Sequence, residues 1–303
     1  MPPVFILLLS TVLFIIQYLL YVLQHFFNFL RKAAIDPEYY DKIKQMKKEF
    51  VRTERDYGVP CLHNITGQEK IICVIVHGFG SSKGSITAKM MLEELPRLGI
   101  GALAFDFPAH GESGVGGEFL RLENCLADMA AAEALARGLV PEAEIVYFAS
   151  SFGAYITLLY LTEKKAGKRR AFLRSAAVSM PRIFFERMTP EQRARLETAG
   201  EVILDKTEYG YARDLKITKG FLDDLRRNDV FTIWQESFAE LRMIHGEADR
   251  TVPLSDAKSF SGMFHTPLFV VPDGDHQLSV PGAPDQVLKL AAEFFLQFPP
   301  RFL

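Results

Sequence analysis

From Gln68 onward, apolar runs of strand length alternate with amphipathic stretches of helical period, and this alternation constrains the fold more than any other feature. The runs IICVIV (71–76), IGALAFD (100–106) and AEIVYFA (143–149) are followed by helical patterns near 85–97, 120–137 and 152–163. AFLRSAAVSM (171–180), LRMIHG (241–246) and TPLFVV (266–271) continue the series, and a last helix is expected near 284–297. Strands that read as unbroken apolar runs are buried on both faces, so the pattern predicts a mostly parallel central sheet with helices on both sides. The rhythm breaks over residues 181–237, which carry helical periodicity and the aromatic residues Phe184, Phe185, Phe221, Phe231 and Trp234. An insertion placed there falls over the carboxyl ends of the strands, where open α/β sheets bind ligands, and reads as a helical cap.

Before the alternation, Met1 to Leu30 holds no Asp, Glu, Lys or Arg. About 20 apolar residues suffice to cross a bilayer, so residues 1–32 are expected to form an N-terminal transmembrane anchor. A cleaved signal peptide would carry its basic residues ahead of the apolar run, whereas Arg31 and Lys32 follow it. Lys42, Lys44, Lys47 and Lys48 add to that positive flank, which places the large domain in the cytoplasm. The glycosylation-type triplet Asn64-Ile65-Thr66 would argue for the opposite side. Residues 33–67 read as a connector, with a helix over 37–56, and 68–303 as the catalytic domain. A balance of 35 basic and 37 acidic residues gives no reason to expect nucleic acid. Three cysteines without CxxC or Cys/His spacing suggest neither a disulfide framework nor a metal site, and no cofactor is implied.

The stretch YFASSFGAYI (147–156) interrupts an apolar strand with two hydroxyls. A nucleophile elbow turns sharply from strand to helix and needs small residues two positions to either side of the reactive serine. Ser150 would be flanked by Phe148 and Phe152; Ser151 is flanked by Ala149 and Gly153, and is the candidate nucleophile. This arrangement resembles the α/β-hydrolases, in which an acid and then a histidine follow from loops after later strands. HGEADRTVP offers Glu247 and Asp249 as the acid. Of seven histidines only His276, in PDGDHQLS, has the required order and loop position; Asp273 and Asp275 beside it read as turn residues. Backbone amides must meet the negative oxygen of a tetrahedral intermediate. The candidates are Phe152, which opens the helix after the elbow, and Phe79 in HGFGSS (77–82).

Over roughly residues 68–300 the chain resembles the α/β-hydrolase superfamily. AFDFPAHGESGVGGEF (104–119), ITKGFLDDLRRNDV and HGEADRTVP resemble the bacterial cinnamoyl and feruloyl esterases and their lysophospholipase-like relatives. The resemblance implies a serine esterase with Ser151, Asp249 and His276 as triad and the Phe79 and Phe152 amides as oxyanion hole; it favours Asp249 over Glu247. Phe184 and Trp234 of the cap are candidates to line a substrate site. The expected activity is hydrolysis of small-molecule or lipid carboxylic esters at a membrane. Amide or peptide hydrolysis, or acyl transfer, would use the same triad, and a non-catalytic membrane-tethered binding module is the remaining reading.

Overall fold

The computed structural model describes residues 46–165, 169–211 and 213–296. The expected anchor over 1–32 and the connector up to residue 45 lie outside the described residues. Among the described residues no helix is long and apolar enough to cross a membrane.

An eight-stranded sheet runs in the order β1-β2-β4-β3-β5-β6-β9-β10. Its strands are β1 (Lys47–Arg52), β2 (Gly58–Asn64), β3 (Ile71–Val76), β4 (Ile100–Phe105), β5 (Glu144–Ser150), β6 (Arg169–Arg174), β9 (Ala239–Gly246) and β10 (Leu268–Val271). The pairs β1/β2 and β2/β4 are antiparallel and every other pair is parallel. The interposed helices are α1 (Ile86–Glu94), α2 (Leu122–Leu139) and α3 (Phe152–Lys164). Later ones are α4 (Met180–Arg187), α5 (Pro190–Ala199), α6 (Lys206–Tyr209), α7 (Lys219–Arg227), α8 (Val230–Ile233), α9 (Leu254–Met263) and α10 (Ala283–Leu296).

The apolar runs are buried for the reason the sequence suggests: side chains alternate across a strand, and helices cover both faces. Tyr147 on β5 turns toward α2, where its hydroxyl donates to Glu133 at 2.6 Å, while Phe148 turns the other way and stacks on Phe172 of β6 at 6.0 Å. Glu133 also accepts from Tyr160 on α3 (2.7 Å), Arg137 (2.9 Å) and Arg169 on β6 (2.7 Å), so one carboxylate joins two helices to two strands. Burial would raise its pKa, but the Tyr147, Tyr160 and Arg169 donors outweigh it and hold Glu133 at about 2. Cys61, Cys73 and Cys125 are free and buried.

Three sequence expectations need correction. Residues 47–64 are not connector: β1 and β2 form a hairpin in the main sheet, so the compact unit begins at Lys47. KKEFVR, part of the segment read as helical, is an exposed edge strand, where charged side chains project into water and protect the edge. Helical period and mixed charge were overridden by backbone pairing with β2. The strand expected over 171–180 stops at Arg174, because Ser175 takes a left-handed conformation (φ +48°) that turns the chain out of the sheet. Finally, the cap is not purely helical. It contains an antiparallel pair, β7 (Glu201–Leu204) with β8 (Leu215–Thr218), whose four-residue strands are too short to show a period.

The cap is fixed to the main domain by a bidentate ion pair of Arg121 with Asp224 on α7 (2.6 and 2.8 Å) and by the Tyr155 hydroxyl donating to the Asn228 carbonyl at 2.6 Å.

Candidate active site

Ser151 joins β5 to α3 with φ +53° and ψ −118°, a strained conformation for a residue with a side chain. The turn is possible because its neighbours are small. A Cβ on Gly153 would lie 2.5 Å from the carbonyl oxygens of His77 and Val76. The elbow is held by its own backbone: Ser151 N–H donates to the Arg174 carbonyl (2.9 Å), and Ser151 C=O accepts from Ala177 (3.2 Å). Ser150, the final residue of β5, stays buried in the sheet.

His276 Nε2 lies 3.0 Å from Ser151 Oγ, and His276 Nδ1 lies 2.7 Å from Asp249 Oδ2. The other carboxylate oxygen accepts from the amides of Thr251 and Val252, both at 2.8 Å. Burial alone would raise the Asp249 pKa; hydrogen bonds from His245, His276 and the Val252 amide outweigh it and hold the carboxyl well below the usual range. Asp249 is thus an ionised acceptor that fixes the imidazole with Nδ1 protonated and Nε2 free to take the serine proton. Glu247 is exposed and points elsewhere, 3.5 Å from the amide of Asp273, while Asp275 caps the next turn through Ser279.

The segment HGFGSS runs beside the elbow: a Cβ on Gly78 would sit 3.2 Å from Ser151 Cβ. The Phe79 ring meets those of Phe152, Phe184, His110 and Tyr211 edge to face, at 5.3–5.7 Å, which pins this stretch of backbone. Gly80, at φ +70°, leaves room for the Tyr211 ring, which a Cβ would strike at 2.0 Å. At the start of α3 the Phe152 amide has no carbonyl one turn earlier to receive it, as for any first helical residue. His77 and His110 are buried beneath this loop; burial lowers both pKa values, that of His110 to about 3, so both are neutral, and His77 Nε2 accepts from the Phe107 amide at 3.1 Å.

A pocket of about 570 Å³ opens at Ser151 and His276 and is walled by the HGFGSS segment and the cap. Phe184 lines it, with Met180, Ile183 and Met188. Trp234 does not. It caps the end of α8, is 3% exposed and packs edge to face on Phe238 at 5.7 Å, which makes it part of the cap's own core.

Several residues that shape the site escaped the sequence reading. Ser175 donates to the His276 carbonyl (2.9 Å) and Arg174 to that of Gln277, so the end of β6 holds the histidine loop. Asp106 accepts from the Lys83 backbone (2.7 Å) and ammonium (2.5 Å) and from the Glu112 amide (2.8 Å), tying the segment after β3 to the segment after β4. His245 abuts Asp249. The one available signal was a polar residue within or just beyond an apolar strand, at Arg174, His245 and Asp106, where a buried polar group requires a partner.

The sheet order, the strained serine and the line from Ser151 through His276 to Asp249 define the class: a serine hydrolase with the α/β-hydrolase fold. Comparisons with known proteins agree. Residues 67–215 match the family described as Serine aminopeptidase, S33. No curated protein matches the chain significantly. Among solved structures, a proposed hydrolase of Agrobacterium vitis S4 is similar at 23% identity, with a TM-score of 0.70 over 83% of this chain and 98% of that one. Est1E of Butyrivibrio proteoclasticus, solved with bound ferulic acid, matches at 18% identity, with a TM-score of 0.70 over 82% and 98%. Mouse alpha/beta hydrolase domain-containing protein 10 matches at 15%, with a TM-score of 0.65 over 83% and 99%. These likenesses show that the chain has the α/β-hydrolase fold.

Proposed function

We propose that this protein is a membrane-anchored serine hydrolase that cleaves carboxylic esters through an acyl-enzyme on Ser151. The observation that carries the reading is the position of His276, 3.0 Å from Ser151 Oγ and 2.7 Å from Asp249, at the floor of a partly apolar pocket. His276 takes the Ser151 proton as the oxygen attacks the ester carbonyl and then gives it to the leaving alcohol. Water, deprotonated by the same imidazole, next releases the acid. The amides of Phe79 and Phe152 receive the negative oxygen; one such donor is worth about 3 kcal/mol of barrier. Apolar residues of α4 suit the acyl chain of a monoacylglycerol or lysophospholipid, which an anchor at 1–32 would bring within reach. The basic flank after residue 30 supports a cytoplasmic domain, and the Asn64 amide, which donates to the Leu92 carbonyl at 3.2 Å, is in keeping with an unmodified side chain.

The match to a family described as serine aminopeptidase favours a second reading, peptide hydrolysis. An aminopeptidase must hold a substrate ammonium, for which a carboxylate is the natural partner. No Asp or Glu lines the pocket among the described residues. The chemistry of the wall therefore favours esters.

The test is hydrolysis by the full chain of p-nitrophenyl esters of increasing acyl length, beside methyl ferulate and amino-acid p-nitroanilides. Ester turnover that disappears in Ser151→Ala supports the proposal. Turnover of anilides alone would overturn it. Carbonate extraction and protease protection of membranes test the anchor and its side.

A further inference from the structure

Helix α4 leads away from the nucleophile. Its approach is fixed by the Ala177 amide, which donates to the Ser151 carbonyl at 3.2 Å, three residues before the helix begins at Met180. Residues Met180, Ile183, Phe184 and Arg187 all line the pocket, and their spacing of i, i+3, i+4 and i+7 is one stripe of an α-helix. Three members of that stripe are apolar and the fourth is a cation. The opposite face satisfies its own charges: Arg182 pairs with Glu186 (2.8 Å) and Asp256 (2.5 Å), while Phe185 packs under Arg226 at 4.2 Å. Arg187, by contrast, makes no ion pair among the described residues.

Arg187 is the one residue of the described pocket wall with a permanently charged side chain, and no carboxylate faces it there. It is exposed, at the last position of the helix, two turns or about 10 Å beyond Met180. A guanidinium presents a planar fork of donors suited to phosphate or carboxylate. The partial negative charge at the helix end holds the Arg187 cation only weakly, and none of its fork of donors is engaged by a carboxylate of the described pocket wall. We infer that Arg187 is a specificity-determining residue that receives an anionic group of the substrate, so that the preferred esters are amphiphiles with an apolar segment along α4 and a phosphate or carboxylate at its far end. The inference rests on the ester-hydrolase reading and narrows it, and the two fail separately.

The experiment compares the full chain and its Arg187→Gln and Arg187→Lys variants in one neutral detergent on two matched pairs. One pair places phosphate on the alcohol side: 1-acylglycerol 3-phosphate against 1-acylglycerol with the same chain. The other places carboxylate on the acyl side: p-nitrophenyl hydrogen suberate against p-nitrophenyl octanoate. The anionic member of one pair should be preferred by wild type. Arg187→Gln should lower the anionic-to-neutral ratio of kcat/KM by about tenfold, chiefly through KM, with Arg187→Lys intermediate. The pair that responds tells phosphate from carboxylate. An unchanged ratio in both pairs overturns the inference, even though ester hydrolysis itself stands. If no ester is turned over, the ester reading fails, and Arg187 is then judged by protection of Ser151 from a neutral fluorophosphonate. Octyl phosphate should slow labelling of wild type more than of Arg187→Gln, relative to octyl glucoside; equal protection overturns the inference.

Discussion

Nε2 of His245 lies 3.2 Å from Oδ2 of Asp249, the oxygen that also faces His276. The same nitrogen stands 2.9 Å from the Val252 carbonyl, so a protonated Nε2 closes the turn that carries the acid and donates toward its carboxylate. His245 is wholly buried and touches no substrate, so it is a positioning residue. His245→Leu should lower kcat about tenfold with little change in KM, the loss expected for one hydrogen bond that orients a reacting group. His245→Gln, which keeps a donor near Nε2, should recover part of the rate in steady-state kinetics. Equal losses in the two variants would point to packing alone.

The elbow makes the two serines unequal. Ser150→Ala should retain activity within about threefold, whereas Ser151→Ala leaves only the residual rate of a triad mutant, roughly 10³-fold or more below wild type. Gly153→Val should prevent folding, because its side chain meets the His77 and Val76 carbonyls. Kinetics on purified variants and a thermal melt check both outcomes.

Glu133 connects α2 and α3 to β5 and β6, and its folded pKa of about 2 lies below the ordinary carboxylate value. A group with a depressed pKa stabilises the fold fully above its unfolded value, near 4.5, and this contribution is lost as pH falls toward 2. Glu133→Gln should cost about 3 kcal/mol at neutral pH, since it leaves Arg169 and two tyrosine hydroxyls short of their acceptor. Chemical denaturation of the two proteins at pH 7 and pH 3 should show the difference shrinking at the lower pH.

Asp128 on α2 behaves in the opposite sense. Burial pushes its pKa up to about 7, against the lowering effect of the Tyr57 hydroxyl, which donates to it at 2.8 Å. Because the folded state holds the proton more tightly than the unfolded state, stability should fall as pH rises from about 4 to about 7. Asp128→Asn should flatten that dependence and raise the melting temperature most at pH 8. A melting curve series with unchanged slope against pH would refute this assignment.

Much of the site was legible because the elbow imposes a steric rule within a few residues. Phe148 and Phe152 exclude Ser150, while Ala149 and Gly153 admit Ser151, and this can be read from letters alone. The order of strand runs likewise located β3, β4, β5, β6, β9 and β10, since burial on both faces writes itself as unbroken apolar sequence. The charged edge strand β1, the β7/β8 hairpin and the inward turn of Trp234 were not legible. Their conformations depend on partners far away in the chain, and a short or charged segment carries no periodic mark of such a partner.

The sequence by itself determined the layering of the fold and the identity of the strained serine, because both follow from sterics and hydrophobic burial over short distances. Only the tertiary structure decided how Asp249 meets His276, which residues hold the histidine loop, and that Arg187 stands without a carboxylate in the pocket wall among the described residues. Those are questions of distance between residues separated by tens of positions, and electrostatic pairing acts through space rather than along the chain.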